Sequence, residues 1–453
     1  MQGQPRILRQ AVWMGLASVA LLVGKSSGGI RAAPPPDPKT LEIQPEDLQR
    51  ARAWVEQLGS PVYTEREQAQ TELARMGRLA RLALQEALAS HPDPEVRQRC
   101  AVLLPAAIED DIKVRLTVFL ADTAGRYTHQ LPGWEAFRAI ACNEWRWCGW
   151  VLARDASLEP AARKLYAEML QTPANRDLLF ASENPHASIS QLLTERRLEL
   201  IHSRTVRNVI INGQVVALPP RSTSPADWLT VLFLEQLIPA TVVNNRVASM
   251  AASLLNSPLQ SLLRQQDATG QVVRNVVANW ALSRRDPQDM YYLFIQAPNL
   301  ELHHLTTTLA MRLLKHPGAP IGYKSTALNR LAVEATPQLV PFLESLFDDT
   351  SVIINMTVVR NVQGQQTREV ISIQLRDAAL ALALHLSQRS PTDYGFVDRG
   401  GVPANAPPFQ YTRYYFPDEK VRQRAFERYQ RERPASSGPP AHPRSSPPPT
   451  DKR

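Results

Sequence analysis

The sequence predicts an all-α chain of stacked helix pairs carrying two inserted β-hairpins, and three observations support that expectation. Residues 57–107 alternate amphipathic runs with clear helix stops, a similar unit recurs after residue 324, and at two places the apolar period changes from helical to alternating around a turn. With 453 residues and 44% hydrophobic side chains, the chain is long enough for one extended stack or for two to three compact domains. The recurrence favours the stack.

The first unit can be followed residue by residue. Thr64 and Glu67 have the spacing of a capping box, so a helix is expected to start there. Ala69, Leu73 and Met76 form its apolar face, and Gly77 ends it, because glycine takes the left-handed backbone that closes a helix. Leu79, Ala83, Leu84, Ala87 and Leu88 mark a second helix that stops at His91-Pro92. Asp93, Pro94 and Glu95 then supply an N-cap, a residue suited to the first helical turn and an acid against the positive end of the helix dipole. Val96, Cys100, Leu103, Leu104 and Ala107 are the buried face of the third helix.

Asp93-Pro94-Glu95-Val96-Arg97, followed by the small Cys100, resembles the D-P-x-V-R-x-x-A signature of HEAT-type, armadillo-like helical repeats, with cysteine in place of the usual alanine. In that family the Asp and Arg help tie neighbouring repeats together, a role the resemblance assigns to Asp93 and Arg97. Near the C-terminus the same resemblance points to Asp349 and Arg376, from Asp348-Asp349 and the later Leu375-Arg376-Asp377-Ala378-Ala379. The order from Pro337 to Leu386 and on to Tyr394-Gly395-Phe396 also resembles an uncharacterised exported bacterial family, which adds no activity. A two-helix repeat cannot bury its apolar face alone, so several must stack.

The formal charge of +8 is concentrated at the two ends. Arg6, Arg9, Lys25 and Arg31 stand before the first acid, another excess of four lies from Asp418 onward, and the body between sums to zero. The basic balance is therefore no argument for nucleic-acid binding by the folded part. Residues 1–33 have the order of a signal peptide: two arginines, an apolar run over 11–23 and small residues. That run is short for a membrane span, which needs about 20 apolar residues. Export to the periplasm, cell envelope or exterior is expected, with membrane contact only if the segment stays uncleaved. Residues 34–44 read as a proline-rich linker, 45–431 as the helical body and 432–453 as a disordered Pro/Ser-rich tail.

Two features depart from plain helix pairs. The first is aromatic: Trp134, Trp145, Trp147 and Trp150 are half of the eight tryptophans. They read either as anchors for a partner or as bulk filling a wide gap between helices. On one continuous helix Cys142 and Cys148 would lie about 240° apart around the axis, outside disulfide geometry, so a bridge needs an interruption near Asn143 or Glu144. The second is the pair of hairpins, near 205–218 and 351–375. Residues 206–211 and 214–218 flank Asn212-Gly213, the dipeptide best suited to a tight two-residue turn. In the second, Val352, Ile354, Met356 and Val358 alternate on one side of Gly364, and Ile371, Ile373 and Leu375 on the other. A two-stranded hairpin is marginal alone, so each must pack on the helices, on a partner or on the other hairpin. Ile354, Met356 and Val358 are therefore candidate contact residues alongside the tryptophans.

Motifs for chemistry are missing. There is no H-E-x-x-H pair, no G-x-S-x-G elbow and no calcium loop around Asp110-Asp111 or Asp348-Asp349, which read as helix-cap doublets. Glu135, Glu144 and Asp155 near the tryptophans have no spacing that marks them as acid or base. No cofactor or metal is implied. The reading is an interaction scaffold with a protein partner. The alternatives are a binder of anionic polymer or membrane surface through the basic residues from Lys420 to Arg433, and an enzyme with a motif-free pocket near the tryptophans. Fold alone does not settle function.

Overall fold

The computed structural model describes residues 35–144, 153–184, 189–203, 207–211, 214–218, 222–237, 249–333, 336–362, 365–400 and 409–432. The expected signal segment, the final tail, Trp145, Trp147, Trp150 and Cys148 lie outside the described residues. The chain is predominantly helical, built from packed helix pairs, with short antiparallel two-stranded sheets. Among the described residues no helix is long and apolar enough to cross a membrane.

α1 (Pro45–Gln57), α2 (Tyr63–Met76), α3 (Arg81–Ser90) and the first half of α4 (Pro94–Ala121) enclose one core. Ala51, Val55, Ala69, Leu73, Leu84, Val96 and Cys100 are buried there, the faces the sequence marks. α2 starts one residue before Thr64, with Val62 at its N-cap and no side-chain cap, so the expected Thr64–Glu67 box does not form. Gly77 ends α2 at φ 53°, and a Cβ there would lie 2.5 Å from Asp110 Oδ2. Asp93 caps α4 by accepting from Glu95 N at 2.8 Å. α4 then runs on past Ala107 through Pro105, whose missing N–H leaves the Ala101 carbonyl unpaired in the helix ladder. Both residues are exposed, so water can take that carbonyl. Asp110 and Asp111 are therefore inside a helix and cap nothing: Asp110 accepts from Arg78 N, and buried Asp111 binds Arg115 and Arg81.

The second half of α4 belongs to a larger core with everything that follows. α5 (Trp134–Ala141) is short, and after it Asn143 and Glu144 (β1) pair antiparallel with Ala153 and Arg154 (β2), so the helix does not run on past Cys142. α6 (Glu159–Gln171), α7 (Pro173–Glu183) and α8 (Ile189–His202) follow, and then the first expected hairpin, β3 (Arg207–Ile211) and β4 (Gln214–Leu218), with Ile211 opposite Gln214. α9 (Pro225–Leu237) starts on a reciprocal cap between Ser224 and Asp227. α10 (Met250–Ser253) and α11 (Leu259–Leu263) lead to α12 (Ala268–Ser283). α9 and α12 pack on each other and are buried almost all round, with their buried Asp227, Glu235, Arg274 and Asn275 held by hydrogen bonds.

α13 (Pro287–Gln296) and α14 (His303–Lys315) form the next pair. α13 opens on Asp286, which accepts from Gln288 N at 2.9 Å, and α14 starts at His303 after Glu301 turns the chain at φ 58°. α15 (Ile321–Val333) and the short α16 (Val340–Glu344) precede the second hairpin, β5 (Val352–Val362) and β6 (Gln365–Gln374). The two hairpins stay in separate sheets. α17 (Leu375–Leu386) follows at once and is buried along nearly its whole length. Its cover is the segment after Gln388, which has no regular period. β7 (Val397–Asp398) pairs with β8 (Tyr414–Tyr415), and Phe396, Phe409, Tyr411, Tyr415 and Phe416 are buried around it. α18 (Glu419–Glu432) is the last of the described elements.

Candidate interaction surface

The β5–β6 hairpin is long for an insertion, about 33 Å at the usual rise of about 3.3 Å per residue. Its register runs from Val352 opposite Gln374 to Val362 opposite Gln365. The ends are stitched at the base: Leu375 N donates to Ser351 O at 2.8 Å, and Arg376 N to Asp349 O at 3.0 Å. A bulge between Val352 and Ile354 turns Ile353 inward, and Ile353, Met356, Ile371 and Ile373 are all buried in the large core. Val352 is left exposed.

Of the alternatives the sequence left open, Ile354 and Met356 take the packing on the helices. Met356 faces Ile371 across the ladder and is buried, and Ile354 faces Ile373 and is half-buried against the core. These side chains anchor the hairpin to the helices. The side chain of Val358 lies outside those described. Because side chains alternate, the opposite face carries Asn355, Thr357 and Val359 on β5 and Arg368, Val370 and Ser372 on β6. Val359 is 54% exposed and Val370 69%. Sequence reasoning missed this face because its apolar residues are fewer than those of the anchoring face.

Trp134 is 1% exposed and packs between Phe119 and Tyr166, with ring centroids 4.7 and 5.2 Å away. It fills a wide gap between helices. Around it runs a buried ionic network. Arg163 donates to Phe119 O at 2.8 Å and to Glu159 at 3.1 Å, and its guanidinium lies 4.4 Å from the Phe119 ring centroid. Asp122 accepts from Arg126 N, Tyr127 N and His129 Nε2 at 2.9 to 3.0 Å. Burial pushes the Asp122 carboxyl up, but those three hydrogen bonds and the charge of Arg163 outweigh it and hold the group below its ordinary range. Burial holds the His129 imidazole below its ordinary value despite Asp122. The imidazole–carboxylate pair has the parts of acid–base chemistry, but both side chains are sealed inside and their work is to fix the loop before α5. Of the other acids, Glu135 pairs with Arg138 and Asp155 accepts from Ser157 N. Cys142 is buried.

The repeat residues serve their turns. Arg97 Nη1 donates to His91 O at 2.5 Å and Pro92 O at 2.9 Å. Arg66, one helix pair earlier, does the same to Ser60 O and Pro61 O. Ties between pairs come from residues the sequence left unmarked: Arg99 reaches Glu67 and Gln70, and Arg52 forms a two-pronged bridge to Glu86. Asp349 accepts from Ser351 N and from Lys324 Nζ at 3.1 Å, and Arg376 reaches Glu419 at 3.0 Å. The buried ion pair of this region joins Asp377 to Arg422 of α18 at 2.9 Å. Of the α18 cations, Arg422 is thus consumed internally and Arg428 binds Glu432 and Asp393 O.

Among the described residues no group of His, Cys, Asp and Glu is arranged to hold a metal ion. The outward face of the β5–β6 hairpin is open to an outside molecule, and among the described residues no further strand pairs with either of its edges. No family model, curated protein or solved structure matches the chain.

Proposed function

We propose that this chain is a non-catalytic, exported interaction scaffold, in which helix pairs stack as a HEAT-type solenoid and the β5–β6 hairpin receives an extended segment of a protein partner. The solenoid reading is supported by the repeated Arg66 and Arg97 turn clamps and by the pairing of α1 with α2 and α3 with α4. The binding reading rests on one observation: the hairpin is anchored by one face while its other face exposes Val359 and Val370 beside strand edges that pair with no further strand among the described residues. An extended segment adding to such an edge gains main-chain hydrogen bonds, and apolar side chains beside it give selectivity. An exposed edge left without a partner is also an aggregation hazard, so a dedicated partner accounts for its retention.

The test is affinity capture from cells that produce the protein, using the intact chain and a V359K/V370K variant. Both substituted residues are exposed, so the variant should fold normally. Partners captured by the intact chain should be lost from the variant. Capture of the same proteins in the same amounts by both would contradict the reading.

A further inference from the structure

Between α13, α14 and α16 lies an open cleft of about 580 Å³, within the size range of small-ligand sites. Met290, Met311 and Phe342 make its walls, and its accessible lining is largely apolar. Three cations converge on it from two separate segments. Arg285 comes from the link between α12 and α13, and Arg312 and Lys315 from the last turn of α14. Lysine and arginine at a helix C-terminus complement the helix dipole, which accounts for two of them. It does not account for Arg285.

None of the three has a carboxylate partner among the described residues, and no acid lines the cleft. Arg312 is held by neutral groups, donating to Leu282 O at 2.7 Å and Arg284 O at 2.5 Å, so its position is fixed while its charge stays uncompensated. Burial, then the neighbouring charge of Arg285, pushes its guanidinium below the ordinary value. Lys315 Nζ sits 5.4 Å from the Phe342 ring centroid, at the boundary of apolar wall and cationic rim. Like charges gathered around an apolar space repel one another, and a bound anion relieves that repulsion.

We propose that this cleft binds the carboxylate end of an acyl chain, with the hydrocarbon against Met290, Met311 and Phe342 and the carboxylate between Arg285 and Lys315. A peptide ending in a carboxylate is the less suitable occupant. Its internal N–H and C=O groups would be buried against a lining whose hydrogen-bonding groups are few, and each one left unsatisfied weakens binding. The site is independent of the hairpin reading.

Calorimetric titration of the full chain with dodecanoate, below its micelle-forming concentration, tests this. Dodecanol and dodecylamine serve as neutral and cationic controls, and a short apolar peptide with a free C-terminus as the peptide control. Dodecanoate should bind in a 1:1 complex and at least about tenfold more tightly than any control, because a charge-assisted contact exceeds about 1.4 kcal/mol. R285Q/K315Q should weaken it by a similar factor and lower the melting temperature only slightly, since both side chains are exposed and Lys315 gives up only its place at the helix C-terminus and against Phe342. T308W, at an exposed position on the rim, should block the cleft and abolish binding. No binding of dodecanoate, equal binding of dodecanol, tighter binding of the peptide, or full binding by T308W would each overturn the proposal.

Discussion

Arg66 and Arg97 occupy equivalent places in successive helix pairs and make the same contacts, each to the two carbonyls that end the preceding turn. An arginine is suited to this because its planar fork offers several donors in fixed geometry. R97A should therefore lower stability by about 1 kcal/mol, the net worth of a partly exposed hydrogen-bonded group, and R97K should recover only part of it. Urea unfolding monitored by circular dichroism measures both. The Asp122–His129 pair gives a pH effect whose sign follows from burial. His129 takes up its proton less readily in the folded chain than in the unfolded one, so its contribution is complete above 6.5 and is lost as the pH falls through that value and below. H129Q, which can still donate to Asp122, should flatten the stability profile on the acid side of that window. An unchanged profile would show that the imidazole is not the group responsible.

At the scale of elements, helices with strong stops and caps were legible and those shaped by distant contacts were not. Gly77, Asp93-Pro94 and Asp286-Pro287 mark boundaries because backbone conformation and capping are local. α4 ran past its expected end because Pro105 and Asp110-Asp111 look like terminators locally, yet Arg78, Arg81 and Arg115 take up the acids within the fold. The β5–β6 strands were legible by alternation, but one bulge changed which residues face inward, and alternation alone cannot say which face meets the helices. The structure separates neighbours in a way that can be measured. I373A, which empties a buried position, should destabilise the protein by about 2–5 kcal/mol. V370A, on the exposed face, should change it by less than about 0.5 kcal/mol. Equal effects in thermal or urea unfolding would mean that the hairpin does not pack as described.

Across the described residues, two cores share one long helix, and the segment over residues 409–429 completes the second core. α4 contributes Val96 and Cys100 to the first core and Ile112, Leu116 and Phe119 to the second. α17 is apolar on all sides and is satisfied only when the aromatic segment and α18 close over it, so the last described residues are structural. The Asp377–Arg422 pair is the test of that closure. R422A leaves a buried carboxylate without its cation and should lower stability by about 3–5 kcal/mol, while the double variant D377A/R422A should recover a substantial part. Neither the pairing nor the covering segment was visible in the sequence, because the residues after Gln388 have no period and the contact spans 45 positions.

The central claim is that the outward hairpin face meets a partner because of where it sits and not merely because it is apolar and exposed. A photo-cross-linking residue placed at position 370 tests this against one at position 102, since Val370 and Val102 are 69% and 70% exposed. In cells that produce the protein, the account predicts a discrete cross-linked species from position 370 that position 102 does not give. The same products from both positions, or none from position 370, would contradict it.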